Sequence, residues 1–216
     1  MSTDRRSFLT RLGAGVTVAG GALASGVSVA SAQSSSAGFS PAKHTQDDWM
    51  DRIPGKHRLV FDTTTPAGFG AALLYANNYL ISSASGYGLK DQDTAIIIVA
   101  RHFATPFAYN DAMWAKYGKQ FSEQSGFVDP KTNTPPTANL YLARMDELVK
   151  KGVQFGVCQM SSRRIAGMIA QATGGEAGGI LKELAANLVA NARIVPAGIV
   201  AVNRAQERGY AFVYAG

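Results

Sequence analysis

The unbroken apolar run at residues 94–100 constrains the fold more than any other part of the sequence. Between Thr94 and Ala100 lie Ala95-Ile96-Ile97-Ile98-Val99, which are all apolar and mostly β-branched. A strand without polar alternation is buried on both faces, as in the middle of a parallel sheet. We therefore predict a central strand in a sheet that carries helices on both sides.

Residues 56–216 alternate short β-branched runs with helical patterns, which is typical of βαβ units. The predicted strands are residues 58–62, 94–100, 153–158, 193–195 and 210–214, and the predicted helices are residues 65–80, 137–151, 161–172, 180–191 and 197–208. The fold class is therefore α/β, with three α/β/α layers and a mainly parallel five-stranded sheet. We interpret the glycine run at residues 174–179 as a flexible turn, because it lacks the spacing of a phosphate-binding loop.

Two of these helices have specific sequence signals. Thr65-Pro66 supplies a capping hydroxyl followed by proline in the first turn. The inward stripe predicted for this helix is Phe69, Ala72, Leu73, Ala76 and Leu80. In the helix at residues 137–151, the side chains predicted to point inward are Leu140, Met145, Leu148 and Val149.

Residues 1–32 have the pattern of a twin-arginine export signal. Arg5-Arg6 precedes a glycine- and alanine-rich apolar run, and the small residues Ala30 and Ala32 suit a signal peptidase. This predicts export of the folded chain by the Tat machinery to the periplasm or beyond the cell. Cleavage after Ala32 would leave Gln33 as the first residue and no stable membrane span. The alternative is a retained N-terminal anchor.

Residues 33–55 are rich in small and polar residues without an apolar period, so we interpret them as a flexible linker. The domain is then expected to occupy residues 56–216. The whole chain carries a formal charge of +6, and three of its arginines and one of its aspartates lie in the leader. The remaining basic residues form no cluster interleaved with aromatic residues, so the sequence gives no support for nucleic-acid binding.

An aromatic-rich excursion at residues 103–136 follows the central strand. Its aromatic residues are Phe103, Phe107, Tyr109, Trp114, Tyr117, Phe121 and Phe127. Three explanations remain open at this point: a lid over the carboxyl edge of the sheet, a subunit interface, or a satellite core.

Cys158 is the residue that most strongly suggests chemistry. It lies where a predicted parallel strand ends and a helix begins near Ser161, at the edge where open α/β sheets bind ligands. Helix N–H groups and nearby arginines such as Arg163 favour a thiolate. His102, after Arg101 at the end of the central strand, is a candidate base or charge partner. The alternative is a structural histidine and a cysteine that is a small buried apolar residue.

Other chemistry has weaker support in the sequence. The histidines show no metal-ligand spacing, there is no paired-cysteine motif, and we expect no metal and no cofactor. Cys158, Met160 and His102 could form a soft copper site, although Met160 is expected to fill the core. No G-x-S-x-G or paired-carboxylate pattern indicates a hydrolase.

Three segments resemble the DsrE/DsrF-like (YchN-like) family, over about residues 57–216. They are Lys151-Gly152-Val153-Gln154-Phe155-Gly156-Val157-Cys158, Val195-Pro196-Ala197-Gly198-Ile199-Val200, and Gln206-Glu207-Arg208-Gly209-Tyr210-Ala211-Phe212-Val213. The resemblance implies a three-layer α/β/α domain of flavodoxin-like architecture that forms trimers or hexamers. It also implies that Cys158 carries sulfur as a persulfide, with His102 as the family's histidine after the second strand.

Two hypotheses follow. The first is an exported sulfur carrier or relay, in which Cys158 and His102 act with support from Arg101, Ser161 and Arg163, and in which an unidentified donor and acceptor exchange sulfur. The second is a non-catalytic ligand-binding or oligomeric assembly module that uses the aromatic-rich excursion. An accessible Cys158 with His102 within hydrogen-bonding reach would favour the first hypothesis, and a Cys158 packed among Ile, Val and Leu side chains would favour the second.

Overall fold

The computed structural model describes residues 40–216 of the 216-residue chain. The predicted leader, with Arg5, Arg6, Ala30 and Ala32, and the first part of the predicted linker lie outside the described residues. Within the described part of the chain, no helix is both long and apolar enough to cross a bilayer.

The centre of the domain is a sheet of five parallel strands. They are β1 (His57–Thr63), β2 (Thr94–Ala100), β3 (Gln154–Cys158), β4 (Ala192–Val195) and β5 (Ala211–Ala215). Their order is β4-β3-β2-β1-β5, and each pair of neighbours runs parallel. Strand β2 occupies the middle and every one of its residues is buried, so the predicted α/β class and the predicted central strand are confirmed.

Helices cover both faces of this sheet. They are α1 (Trp49–Arg52), α2 (Pro66–Tyr87), α3 (Asp111–Ser125), α4 (Leu142–Lys150), α5 (Gln159–Thr173), α6 (Ala177–Ala186) and α7 (Gly198–Gln206). Helices α2 to α6 contribute to the larger apolar cluster, whereas α1 and α7 pack with alternate strand residues such as Val60, Ile97 and Val195 in a smaller one. The result is the predicted three-layer arrangement.

Helix α2 follows its sequence signals closely. The Thr65 side chain accepts a hydrogen bond from the Gly68 N–H at 2.9 Å, Pro66 is the first helical residue, and Gly88 ends the helix in the left-handed conformation. The whole predicted inward stripe is buried: Phe69, Ala72, Leu73, Ala76 and Leu80. The cap and the stripe together fix the helix against β1 and β2.

The predicted helix at residues 137–151 begins only at Leu142, and Leu140 is 42% exposed instead of inward. The side chain of Asn139 explains this correction. Its Nδ2 donates to the carbonyls of Phe107 and Tyr109 at 2.8 and 2.9 Å, which fixes a turn before the helix. Met145 and Leu148 are buried as predicted, and Val149 is half-buried.

The predicted helix at residues 180–191 is displaced toward the N-terminus. Helix α6 starts at Ala177 because the Glu176 carboxylate accepts hydrogen bonds from the Gly178 and Gly179 N–H groups. It ends at Ala186, before a turn in which Asn191 adopts a φ of 56°. Only residues 174–176 of the glycine run form the turn between α5 and α6; the prediction of a turn is wrong for Ala177, Gly178 and Gly179, which begin α6.

The aromatic-rich excursion contains a helix, α3, that was not predicted. Five of its aromatic side chains are at most 6% exposed: Phe107, Tyr109, Trp114, Tyr117 and Phe121. They belong to the larger apolar cluster of the domain itself. Of the three explanations, the core is therefore correct for these five side chains, and the lid and the subunit interface are wrong for them.

The folded domain also begins earlier than residue 56. Trp49, Met50 and Ile53 are buried against the face of the sheet that α7 covers, and the Tyr210 hydroxyl donates to the Met50 carbonyl at 2.6 Å. Burial raises the pKa of Tyr210 to about 12, so it remains a donor. Trp49, Met50 and Ile53 are thus part of the core, and the linker prediction is wrong for residues 49–53.

Candidate functional site

The candidate site lies at the carboxyl edge of the sheet, where β1, β2 and β3 end. Asp62 is near the end of β1, Arg101 and His102 follow β2, and Cys158 is the last residue of β3. Helix α7 begins beside them at Gly198. This is the edge at which open α/β sheets place ligands.

Cys158 lies on the same side of the sheet as α7. Its neighbours Phe155 and Val157 belong to the larger cluster on the opposite face, and its register partner is Val195 of the smaller cluster. The Sγ atom accepts a hydrogen bond from the Ser161 N–H at 3.5 Å, so the cysteine caps the N-terminus of α5. The residue is only 5% exposed, although it belongs to neither apolar cluster.

Arg101 forms an ion pair with Asp62 beside this thiol. Its Nε and Nη2 atoms donate to the two carboxylate oxygens at 2.6 and 2.8 Å, and Asp62 is 2% exposed. The hydrogen bond to Asp62 is the main cause that raises the pKa of Arg101, and nearby Tyr214 and Cys158 add to it. A Cβ atom on Gly198 would lie 2.5 Å from the Arg101 Cβ, so glycine is required for this approach.

His102 does not occupy the position predicted for a base. It is exposed, it adopts a φ of 57°, and its ring packs on Phe103 with a centroid distance of 4.1 Å. Its backbone N–H donates to the Ser161 Oγ at 3.0 Å and its carbonyl accepts from Gln124. Within residues 40–216, no hydrogen bond joins its imidazole to Cys158. The contribution of His102 to the site is therefore through its backbone.

Of the other residues predicted for the site, Ser161 lies beside Cys158, whereas Arg163 and Met160 are exposed. Ser161 is adjacent to Cys158 and to the His102 backbone, whereas Arg163 is exposed on α5. Met160 is 60% exposed, so the prediction that it fills the core is wrong. Within the described residues, no three His, Cys, Asp or Glu side chains are grouped so that they could hold a metal ion.

Sequence reasoning missed several polar partners around the thiol. Tyr109 donates to the Ser162 Oγ at 2.7 Å, and Ser162 donates to the Cys158 carbonyl at 2.9 Å. Burial raises the pKa of Tyr109, so its hydroxyl stays protonated. Across the edge, the hydroxyls of Thr64 and Tyr214 are hydrogen-bonded at 2.9 Å. The available signal for this edge was the polar run Asp62-Thr63-Thr64, which directly follows the apolar residues Leu59-Val60-Phe61.

A cavity of about 360 Å³ lies next to the cysteine. Its lining includes Gln159, which follows Cys158 in the chain, and Val195, which is its register partner, together with Pro196 and Trp49. The cavity is thus lined by residues that adjoin Cys158, whereas the cysteine side chain itself is almost completely covered.

No family model and no curated protein matches this chain. Among solved structures, it is similar to a protein of unknown function from Methanobacterium thermoautotrophicum. The two chains are 18% identical, with a TM-score of 0.43 over 74% of this chain and 99% of that chain. A similarity this distant, to a protein of unknown function, does not indicate what this chain does.

Proposed function

We propose that this protein is an exported sulfur carrier of the DsrE-like kind, with Cys158 as the atom that holds the sulfur. The observation that supports this most strongly is the position of Sγ at the N-terminus of α5, where it accepts the Ser161 N–H. Helix N-termini and nearby guanidinium groups favour the thiolate form of cysteine, and Arg101 follows the neighbouring strand β2 at the same edge of the sheet.

The proposed chemistry is a sulfane-sulfur exchange. The Cys158 thiolate attacks the terminal sulfur of a persulfide or polysulfide donor, so a new S–S bond forms as the terminal S–S bond of the donor breaks. A persulfide donor leaves as a thiolate, and a polysulfide donor leaves as a polysulfide that is one sulfur shorter. An acceptor thiolate then attacks the outer sulfur of the Cys158 persulfide and restores the original thiolate. No electron is gained or lost overall, so no further reductant is needed.

Burial of Cys158 limits the access of sulfur donors and acceptors to its side chain. At 5% exposure, a persulfide on Cys158 would exchange slowly with solution thiols. Transfer would then require a local opening, and the neighbouring cavity beside Gln159 and Pro196 is the proposed route. The hydrogen bond of the His102 backbone to Ser161 would hold the capping turn in place.

Alkylation kinetics test this proposal. Native protein should react with iodoacetamide at a measurable rate, and pretreatment with polysulfide should add one sulfur atom to the intact mass, reversibly with dithiothreitol. Cys158→Ala should abolish both results, whereas Arg164→Gln, a change on the exposed surface of α5, should preserve them. A thiol that reacts only after denaturation would exclude the carrier function.

Homo-oligomeric assembly is a second proposed function, because apolar side chains remain exposed at one edge of the sheet. Ile199 and Val200 on α7 and Phe212 and Tyr214 on β5 are 40–57% exposed, on the same side of the sheet. A second copy of the chain could cover this edge in a trimer or hexamer. Light scattering should show dissociation of Phe212→Glu, whereas Phe103→Glu, as a matched change elsewhere, should keep the wild-type mass.

Export is proposed from the sequence of residues 1–32. Intact-mass measurement of the secreted protein should place Gln33 at its N-terminus, and changing Arg5 and Arg6 to lysine should keep the chain in the cytoplasm. Secretion of the double variant at the wild-type level would exclude the Tat route.

A further inference from the structure

A second cavity, of about 530 Å³, lies on the sheet near the start of β3. It is lined by Trp49, Arg52, Ile53, Pro54, Gly152, Gln154 and Arg193. Two of these side chains are guanidinium groups and none is a carboxylate. A cavity of this volume is within the range of small-molecule binding sites.

Arg193 is held in place by an aromatic ring. Its Cζ lies 4.4 Å from the ring centroid of Trp49, and Trp49 is 6% exposed in the smaller apolar cluster. A cation over the face of a buried indole is stabilised by the ring quadrupole. The stacked guanidinium keeps its N–H edges available to a ligand, and its fixed orientation lowers the conformational cost of binding.

Arg52 and Arg193 repel each other across this cavity. Burial is the main cause that lowers the pKa of Arg193, and the positive charge of Arg52 lowers it further. Within residues 40–216, no carboxylate forms an ion pair with Arg52 or Arg193. The adjacent Asp51 pairs instead with Lys43, Arg58 and Arg208.

We propose that this cavity binds a small organic phosphate monoester, with the phosphate group between Arg52 and Arg193. A phosphate dianion matches two guanidinium charges, and each guanidinium can donate two parallel hydrogen bonds to it. Inorganic phosphate would leave most of the volume empty. The organic part lies against Ile53 and Pro54, with the Gln154 amide beside it.

Calorimetric titration with phenyl phosphate tests this site on the whole chain. Arg52→Gln and Arg193→Gln should each weaken binding by at least about tenfold, because each removes a charged hydrogen-bonding partner. Arg164→Gln, which loses the same charge on the exposed surface of α5, should bind within about twofold of wild type. Arg193→Lys should give an intermediate affinity, since the charge remains but the planar fork is lost.

Four results would overturn the inference. They are no binding by the wild type at millimolar concentrations, equal affinity for phenyl phosphate and phenol, equal affinity for phenyl phosphate and inorganic phosphate, or weaker binding in only one of the two arginine variants. Thermal unfolding of each variant identifies loss of the fold. If Arg193→Gln is unstable, the intermediate affinity expected for Arg193→Lys still tests the role of this side chain. Trp49 and Arg193 also line the cavity beside Gln159 and Pro196. Cys158→Ala should nevertheless bind phenyl phosphate as wild type does, so loss of phosphate binding and loss of sulfur exchange are distinguishable.

Discussion

Trp114 provides the sharpest test of whether the aromatic excursion is core. It is 0% exposed, its ring contacts those of Phe107 and Phe121 at centroid distances of 5.2 Å, and its Nε1 donates to the Pro106 carbonyl at 3.0 Å. A buried tryptophan removes roughly 150–250 Å² from water, worth about 4–6 kcal/mol at about 25 cal/mol per Å². That area term is an upper limit, whereas measured Trp→Ala costs are about 3–5 kcal/mol.

We therefore expect Trp114→Ala to lower the free energy of unfolding by about 4–6 kcal/mol, once the lost hydrogen bond to Pro106 is included. Trp114→Phe keeps the ring contacts and should cost only about 1–2 kcal/mol. Urea unfolding followed by far-ultraviolet circular dichroism measures both values, and light scattering measures the mass of the folded protein. A Trp114→Ala protein that loses less than about 1 kcal/mol but dissociates would refute the assignment to the core.

Three further predictions concern single contacts. Gly198→Ala should force Arg101 away from Asp62 and lower the free energy of unfolding by about 2–4 kcal/mol, measured by urea unfolding; an unchanged midpoint would contradict the close approach. Thr65→Ala should cost about 1 kcal/mol in the same assay, whereas Thr65→Ser, which keeps the capping oxygen, should cost little. Backbone hydrogen bonds at the start of α6 lower the pKa of Glu176 in the folded protein. The Glu176 carboxylate therefore stabilises the folded state above the unfolded-state pKa, and this stabilisation is lost as the pH falls through the lower folded-state pKa. Glu176→Gln should therefore flatten the loss of stability over this acidic range, and an unchanged pH profile would exclude the effect.

The strands and α2 were predictable because their signals are local. The apolar run at residues 94–100 can be buried only on both faces, and Thr65-Pro66 caps a helix through its own side chain. Helix α3 was missed because its aromatic residues suggested an irregular excursion. Its buried residues Trp114, Tyr117 and Phe121 nevertheless have helical spacing.

The site was only partly predictable, because chain topology determines which strand ends meet but not where side chains point. Parallel pairing brings the ends of β2 and β3 together, so Arg101 and Cys158 were correctly grouped. The imidazole of His102 was placed wrongly because its residue adopts a positive φ, which the sequence does not reveal. Asp62 was missed because its partner lies 39 residues away in the chain.

The Arg101–Asp62 ion pair lies beside the Cys158 thiol, so replacing either partner changes the net charge near the sulfur. Arg101 and Asp62 form a nearly neutral pair, so the net charge beside the sulfur depends on keeping both partners. Arg101→Gln would leave a negative carboxylate near the sulfur, whereas Asp62→Asn would leave a positive guanidinium.

The two substitutions should therefore change the rate of alkylation by iodoacetamide at neutral pH in opposite directions, slower for Arg101→Gln and faster for Asp62→Asn. Both substitutions break the same contact and loosen the same edge. A mere increase in exposure would accelerate alkylation in both, and that result would show that burial, not charge, controls the reactivity of Cys158.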